Sequence, residues 1–344
     1  MRSFAQSEET EKPRNRLPAW LKATLRLAVG IGLISFLVSR SDLAAIKEAF
    51  ANANLFLIIA GFALSIGLLI SSAFRWRIFL DALAVQLPKR SIVRLTLVGA
   101  FFNAFLPTGV GGDAYKAFRV GSGSATLATS FASVLLDRLA GIAMLAILGF
   151  LAAVAAARSG ITPLVVTGLA LSIGIMSLAI FVLAMGQTLV GRGQRTWFGL
   201  RPRLRRGLDA AARAVRRPST IRRSFPIGLL CQTFAVATYS ALAQSLDLGV
   251  GLEVVTLGLF SATVVSAVPI TINGLGIREA VWVWGLGLYG VSQGKALAYA
   301  LLVLGVSLAT SAVGGLVYAV AGGDVAVQAG LSAVGSVPNG VRRG

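Results

Sequence analysis

Asn103-Ala-Phe-Leu-Pro107-Thr108-Gly109-Val-Gly111-Gly112-Asp113-Ala-Tyr-Lys116 interrupts an apolar stretch with one proline, three glycines and two opposite charges. A second cassette, Pro269-Ile-Thr271-Ile-Asn273-Gly274-Leu-Gly276-Ile-Arg278-Glu279, interrupts another. Proline lacks an N–H and glycine favours no one backbone region, so such clusters break helices. The surrounding chain is apolar enough to lie in a bilayer: 56% of its 344 residues are hydrophobic, 13% are charged, and mean hydropathy is +0.80. In lipid, a freed backbone group is costly unless protein or a water-filled cavity satisfies it. Two such breaks in corresponding halves of a hydrophobic protein point to a transporter's binding site.

Composition excludes several chemistries. There is no histidine and a single cysteine, Cys231, inside an apolar run. That removes histidine-based acid–base chemistry, zinc and haem sites, and any intramolecular disulfide. Cys231 reads as inert packing. The formal net charge of +19 would suggest nucleic acid in a soluble protein. Here the charge is concentrated between Gly191 and Arg223, where eleven arginines face only Asp209. Beside membrane spans such a run is a positive-inside signal that also touches anionic headgroups. No nucleic-acid partner, cofactor or metal is expected.

About 20 apolar residues cross a bilayer. Full spans are expected at 21–38, 55–74, 126–150, 163–185, 226–246 and 297–321. The cassettes lie in two further apolar elements, 92–119 and 254–289, each long enough for two half-helices. Glu8, Glu9 and Glu11 precede the basic residues Lys12, Arg14 and Arg16, and no small-x-small site follows residue 38, so span 21–38 reads as retained rather than cleaved. With the N-terminus in the cytoplasm, every strongly basic loop falls on one side if 92–119 and 254–289 are re-entrant. The cassettes then enter from opposite faces, as in an inverted repeat. Whether they are re-entrant hairpins or fully crossing broken helices stays open.

The expected fold is an all-α polytopic membrane protein with six full transmembrane helices, two broken or re-entrant helical elements, and both termini cytoplasmic. It divides into a cytoplasmic segment 1–20, a transmembrane domain 21–321 with a basic cytoplasmic loop 186–224, and a flexible tail 322–344.

Charges at membrane depth are costly and normally face the protein interior with a partner. Asp113 follows two glycines at the start of a half-helix, so N-capping alone would account for it. Lys116 and Arg119 lie three and six residues further along a similar face. A cation beside a half-helix N-terminus suits phosphate, and snorkelling is the simpler alternative for Lys116. Asp137 and Arg138 are adjacent and point about 100° apart, so each can bond elsewhere, including to the broken elements. Arg278 has the fork geometry for a phosphodiester and Glu279 can carry a proton; a mutual ion network is the structural alternative. Trp282 and Trp284 read as interfacial belt residues. Neither cassette has P-loop spacing.

Three ordered motifs resemble the lysylphosphatidylglycerol synthase transmembrane-region family, also called flippase-like membrane proteins. They are Asn103…Leu106-Pro107-Thr108…Gly111-Gly112-Asp113…Lys116, then Leu136-Asp137-Arg138-Leu139, then Pro269…Gly274-Leu275-Gly276-Ile277-Arg278-Glu279. The resemblance runs over about residues 21–321. It implies a multi-pass protein of a bacterial plasma membrane that moves, or helps to move, lipid-linked substrates between leaflets. In two-domain relatives a cytoplasmic aminoacyltransferase follows; nothing after residue 321 has the composition of one, so synthase activity is not expected. Relatives commonly carry arginine at the position of Lys116 and glutamate at that of Asp137, which alters headgroup geometry while keeping charge.

The reading that follows is a flippase-like transporter of an anionic or polyprenyl-phosphate-type lipid, not an enzyme. Its pathway would be formed by Asn103, Pro107, Thr108, Gly111, Gly112, Asp113, Lys116, Asp137, Arg138, Pro269, Asn273, Gly274, Gly276, Arg278 and Glu279. Lys116 and Arg278 would hold phosphate while Asp113, Asp137 and Glu279 balance charge or relay a proton. The alternative is a non-transporting partner of a lipid-modifying enzyme or glycosyltransferase. An intramembrane enzyme is the weakest reading, because no nucleophile–base or metal set accompanies the acids.

Overall fold

The computed structural model describes residues 19–106, 110–122, 125–157, 168, 171, 211, 214, 217–266, 271 and 274–321. The expected span 163–185, most of the basic loop and the tail lie outside the described residues, as do Pro107, Thr108, Pro269 and Asn273. Among the described residues there are ten helices: α1 (Ala19–Ser39), α2 (Leu43–Ala51), α3 (Leu55–Ala82), α4 (Lys89–Phe105), α5 (Gly111–Gly121), α6 (Leu127–Ala156), α7 (Pro218–Ser245), α8 (Leu252–Ser266), α9 (Ile277–Gly287) and α10 (Gln293–Val320).

Local chemistry sets the helix starts. Asp42 Oδ1 accepts from the Ala44 N–H at 2.8 Å, Asn54 Oδ1 from Leu57 at 3.3 Å, and Thr126 Oγ1 from Thr129 at 3.2 Å. Each satisfies an amide that the helix itself cannot. Pro218 opens α7, where its missing N–H does no harm.

Four helices, α3, α6, α7 and α10, are long and apolar enough to cross a membrane. The protein is therefore multi-pass. Residues 27–39 of α1 and α2 together form a fifth candidate, bent by 91°. Two spans are longer than their apolar runs suggest. α3 continues past Phe74 through Arg75 and Arg77, and α7 begins at Pro218 and runs through Pro226. Arg75 stays helical because it is buried against an acid on α6. The break in 92–119 separates α4 from α5, and the break in 254–289 separates α8 from α9.

From α3 onward the chain runs through one succession twice: a span, a half-helix, a break, a shorter half-helix, and a span. The lengths are 28, 17, 11 and 30 residues, then 28, 15, 11 and 28. α3 and α7 pack along their lengths and run antiparallel. The Asn54 N–H donates to Ser245 O at 2.8 Å at one end. Gly61 then faces Leu242, Gly67 faces Phe234, and Arg75 reaches Gly228 at the other. Several other contacts come in reciprocal pairs: α10 packs on α4 and α6 on α8, while α5 packs on α6 and α9 on α10; α2 on α10 and α1 on α9 have no such counterpart among the described residues. Glycine makes both exchanges close. A Cβ at Gly314 would stand 1.9 Å from Leu97 O on α4, and one at Gly149 would stand 2.7 Å from the Phe260 ring on α8.

Candidate functional site

At the first break α4 and α5 meet through glycine. A Cβ on Gly112 would lie 1.7 Å from Gly99 O, an overlap that no side chain survives. Asn103, on the last turn of α4, accepts the Gly112 N–H on its Oδ1 at 2.8 Å and so caps α5 from the neighbouring half-helix. This fixes the first turn of α5, which carries Asp113. Asp113 Oδ1 lies 3.3 Å from Lys116 Nζ, and Asp113 Oδ2 accepts from Arg138 Nε of α6 at 2.7 Å. The Lys116 ammonium also sits over the Trp76 ring, 5.0 Å from its centroid, and Trp76 Nε1 donates to Ser133 Oγ at 3.1 Å. Arg75, the residue before Trp76 on α3, donates from Nε to Asp137 Oδ1 at 2.8 Å, one turn of α6 beyond Ser133.

Five ionised side chains from α3, α5 and α6 thus gather here, three positive and two negative. Arg75, Lys116, Asp113 and Asp137 are all buried. Arg138 is not: 52% of its side chain is exposed. It is the twelfth residue of the 30-residue α6, about 17 Å along the helix at 1.5 Å per residue. The cluster therefore reaches the surface of the described helices on a guanidinium, within the candidate span α6.

The second break is built differently. Gly274 and Gly276 have φ of +75° and +82°, which L side chains avoid. A Cβ on Gly276 would also stand 2.7 Å from Gly30 O on α1. Glu279 Oε2 accepts the Gly276 N–H at 2.6 Å, closing the first turn of α9 from within. Arg278 Nε lies 3.6 Å from Glu279 Oε1. Both atoms are buried without a hydrogen-bond partner among the described residues, as is Thr271 Oγ1.

Position by position, the two breaks correspond. Asp113 and Glu279 are each third in their half-helix, and Lys116 and Trp282 each sixth. Trp76 and Tyr239 are each the twenty-second residue of their span. Trp76 faces Lys116, and Tyr239 stacks on Trp282 with centroids 5.6 Å apart. The charges of the spans do not correspond. Where α6 has Asp137-Arg138, α10 has Val303-Leu304, and where α3 has Arg75, α7 has Thr238. Each half keeps an acid third in its short half-helix, but only the first half has charged spans to meet it.

Several expectations are corrected by this geometry. Asp113 does not cap α5; the backbone of Val110 holds the cap position, and Asn103 supplies the side-chain acceptor. Lys116 neither snorkels nor faces an open path, because Asp113 and Trp76 enclose it. Trp282 is not a belt residue: it is 1% exposed and packed among Tyr239, Tyr299 and Gly258, whereas Trp284 is exposed. Among the described residues no hydrogen bond or ion pair joins Arg278 or Glu279 to Asp113, Lys116, Asp137 or Arg138. The mutual network that was the structural alternative for Arg278 and Glu279 is absent among the described residues, which hold two separate groups. Asp137 and Arg138 do bond away from each other, and Arg138 reaches the first broken element. Arg75, one residue past the expected span 55–74, is the member of the cluster that was not among the candidates read from the sequence. The signal for it was Asp137, a mid-span acid that needs a cation from another helix. No group of three or more His, Cys, Asp or Glu side chains is placed to hold a metal among the described residues.

A family model described as the lysylphosphatidylglycerol synthase TM region matches residues 23–315. The chain belongs to that family. The match takes in both breaks and every helix from α2 to α9 of this lysylphosphatidylglycerol synthase transmembrane region, including all five ionised residues of the cluster. Curated proteins contain no match to the chain.

Proposed function

We propose that this protein is a flippase-like transporter that carries the anionic headgroup of a lipid past the middle of the membrane while its acyl chains stay in the bilayer. One observation carries the reading: a half-exposed Arg138, near the midpoint of a spanning helix, at the edge of a cluster with one positive charge in excess. An arginine at the centre of a helix costs about 2.5–3.5 kcal/mol on insertion scales, so an exposed one calls for polar company. A phosphate supplies it and accepts a guanidinium's paired donors. Arg138 takes the headgroup role, with Lys116 and Asp113 holding it in position. Family membership places the protein among membrane regions of lipid-related proteins, which supports a lipid as the cargo.

The antiparallel α3–α7 pair and the reciprocal packing of the two halves support an inverted repeat. In that arrangement one half rocks against the other around a central site. In this reading the protein leaves its lipid chemically unchanged, uses no cofactor, and sits in a bacterial inner membrane with both termini cytoplasmic. The test is leaflet exchange in reconstituted vesicles containing a headgroup-labelled phosphatidylglycerol, with an impermeant quencher reporting the outer leaflet. Arg138→Gln should abolish the exchange catalysed by wild type while keeping its unfolding temperature. Wild-type exchange in a folded Arg138→Gln protein would sink the assignment.

A further inference from the structure

We propose that the second break binds the hydroxyls of a lipid's polyol headgroup, glycerol or a sugar, between Arg278 and Glu279. Three polar atoms there, Arg278 Nε, Glu279 Oε1 and Thr271 Oγ1, are buried with no hydrogen-bond partner among the described residues. Native interiors rarely leave such atoms unpaired, and least of all on charged groups. Capping explains why a carboxylate stands at this turn, since Glu279 Oε2 takes the Gly276 N–H. It does not explain Oε1, because the cap needs one oxygen only. The neighbouring span does not explain it either: α10 packs on α9 but carries Val303-Leu304 where α6 carries Asp137-Arg138. Glu279 thus keeps an oxygen that no other described helix claims. The pair reaches the surface at Arg278, whose side chain is 17% exposed.

The chemistry of the three atoms selects the ligand. A guanidinium N–H only donates, a carboxylate oxygen only accepts, and a hydroxyl does both. A phosphate would satisfy Arg278 and be repelled by Glu279; a bare cation would do the reverse. A ligand hydroxyl accepts from Nε and donates to Oε1 at once. The spacing suits it. At 3.6 Å the pair is too far apart for a direct hydrogen bond, yet one oxygen can lie about 2.8 Å from both. Thr271 Oγ1, in the same break, is left for a second hydroxyl. Water has the same bonding groups, but a polyol brings several on one molecule and gives up its translational freedom only once. That the polyol belongs to a lipid rests on the transport reading, whereas the match between a hydroxyl and these atoms does not.

The experiment sets two lipids of equal charge against each other on the full chain. Phosphatidylglycerol carries hydroxyls on its headgroup, and phosphatidylpropanol has the same headgroup carbons with none. The protein is taken from phosphatidylcholine nanodiscs holding both in equal amounts, and the lipids it retains are weighed by native mass spectrometry. Wild type should retain phosphatidylglycerol several-fold over phosphatidylpropanol. Glu279→Gln keeps an amide oxygen for the Gly276 N–H but puts a donor where the acceptor was, so the preference should vanish. Thr271→Val leaves that cap untouched, should lower the preference, and carries the test if Glu279→Gln does not fold. Equal retention of the two lipids by wild type means that only water meets these atoms, and overturns the proposal. So does a preference that survives both substitutions in proteins of wild-type unfolding temperature. Arg138→Gln separates the two readings, since it should lower retention of both lipids and leave their ratio unchanged. Undiminished leaflet exchange there defeats the transport role of Arg138, while a preference sensitive to Glu279 still upholds the hydroxyl site.

Discussion

Asp113 is the residue on which the charged cluster turns, since its two oxygens hold a buried lysine and a half-exposed arginine. Asp113→Asn leaves Lys116 buried without a counter-ion, a loss of about 3–5 kcal/mol by comparison with other broken buried pairs. Lys116→Met in the same background should restore most of it, because the stranded charge goes with it. Arg138→Gln should destabilise by roughly 1 kcal/mol or less, as expected of a pair open to its surroundings. Thermal unfolding in detergent gives the order of the three; equal losses for Asp113→Asn and Arg138→Gln would make Arg138 structural. Neighbouring glycines give a second contrast. Gly112→Ala drives a Cβ into the Gly99 carbonyl at 1.7 Å, whereas Gly111→Ala meets Leu106, whose Cδ1 can rotate away and whose Cβ, at 2.9 Å, asks only a small shift. The first should fail to yield monodisperse protein and the second should yield it. At this scale the sequence was legible only where chemistry is local. Pro107 to Gly112 and Gly274 to Gly276 act on their own backbone, and so announce themselves. Arg75 does not, because its partner lies 62 positions away and a cation after an apolar run looks interfacial.

Among the elements, α5 depends on help from outside itself. Its first turn is capped by Asn103 of α4, so Asn103→Ala should fray it at a cost of about 0.5–2 kcal/mol, the range for lost caps. Hydrogen exchange should quicken at the Gly112 amide and its neighbours and stay unchanged in α9. α9 carries its own test in two glycines. Gly276→Ala forces a positive φ and a close contact with Gly30 O, and should destabilise. Gly285→Ala, with nothing within 4 Å of the new methyl, should stabilise the helix by up to about 1 kcal/mol. Hydropathy located these elements well, and their ends less well. α3 passes through Arg75 because Asp137 of α6 receives its charge, and α7 passes through Pro226, which stands exposed on that helix. The tryptophans misled for a related reason: periodicity shows that Trp282 and Trp284 point apart, but not which of them meets Tyr239.

For the whole molecule, the repeated succession of α3–α6 and α7–α10 makes a directional prediction. Cys231 is the one cysteine and is buried, so Cys231→Ser provides a silent background. In it, Val110→Cys and Ile277→Cys, at the starts of α5 and α9, should react with an impermeant maleimide from opposite faces of the membrane. Reaction from the same face would rule out an inverted arrangement of the two halves. The uneven division of charge between those halves also governs how the chain can be made. A ribosome delivers Arg75 to the bilayer long before Asp137 has been synthesised. Asp113 and Lys116 arrive three residues apart and nearly self-neutral, but Arg75 has no such companion nearby. α3 can rest as a span on residues 55–74 alone, but Arg75 gains its buried partner only once α6 has emerged. The second half, with Thr238 at the position of Arg75, is free to be laid down helix by helix.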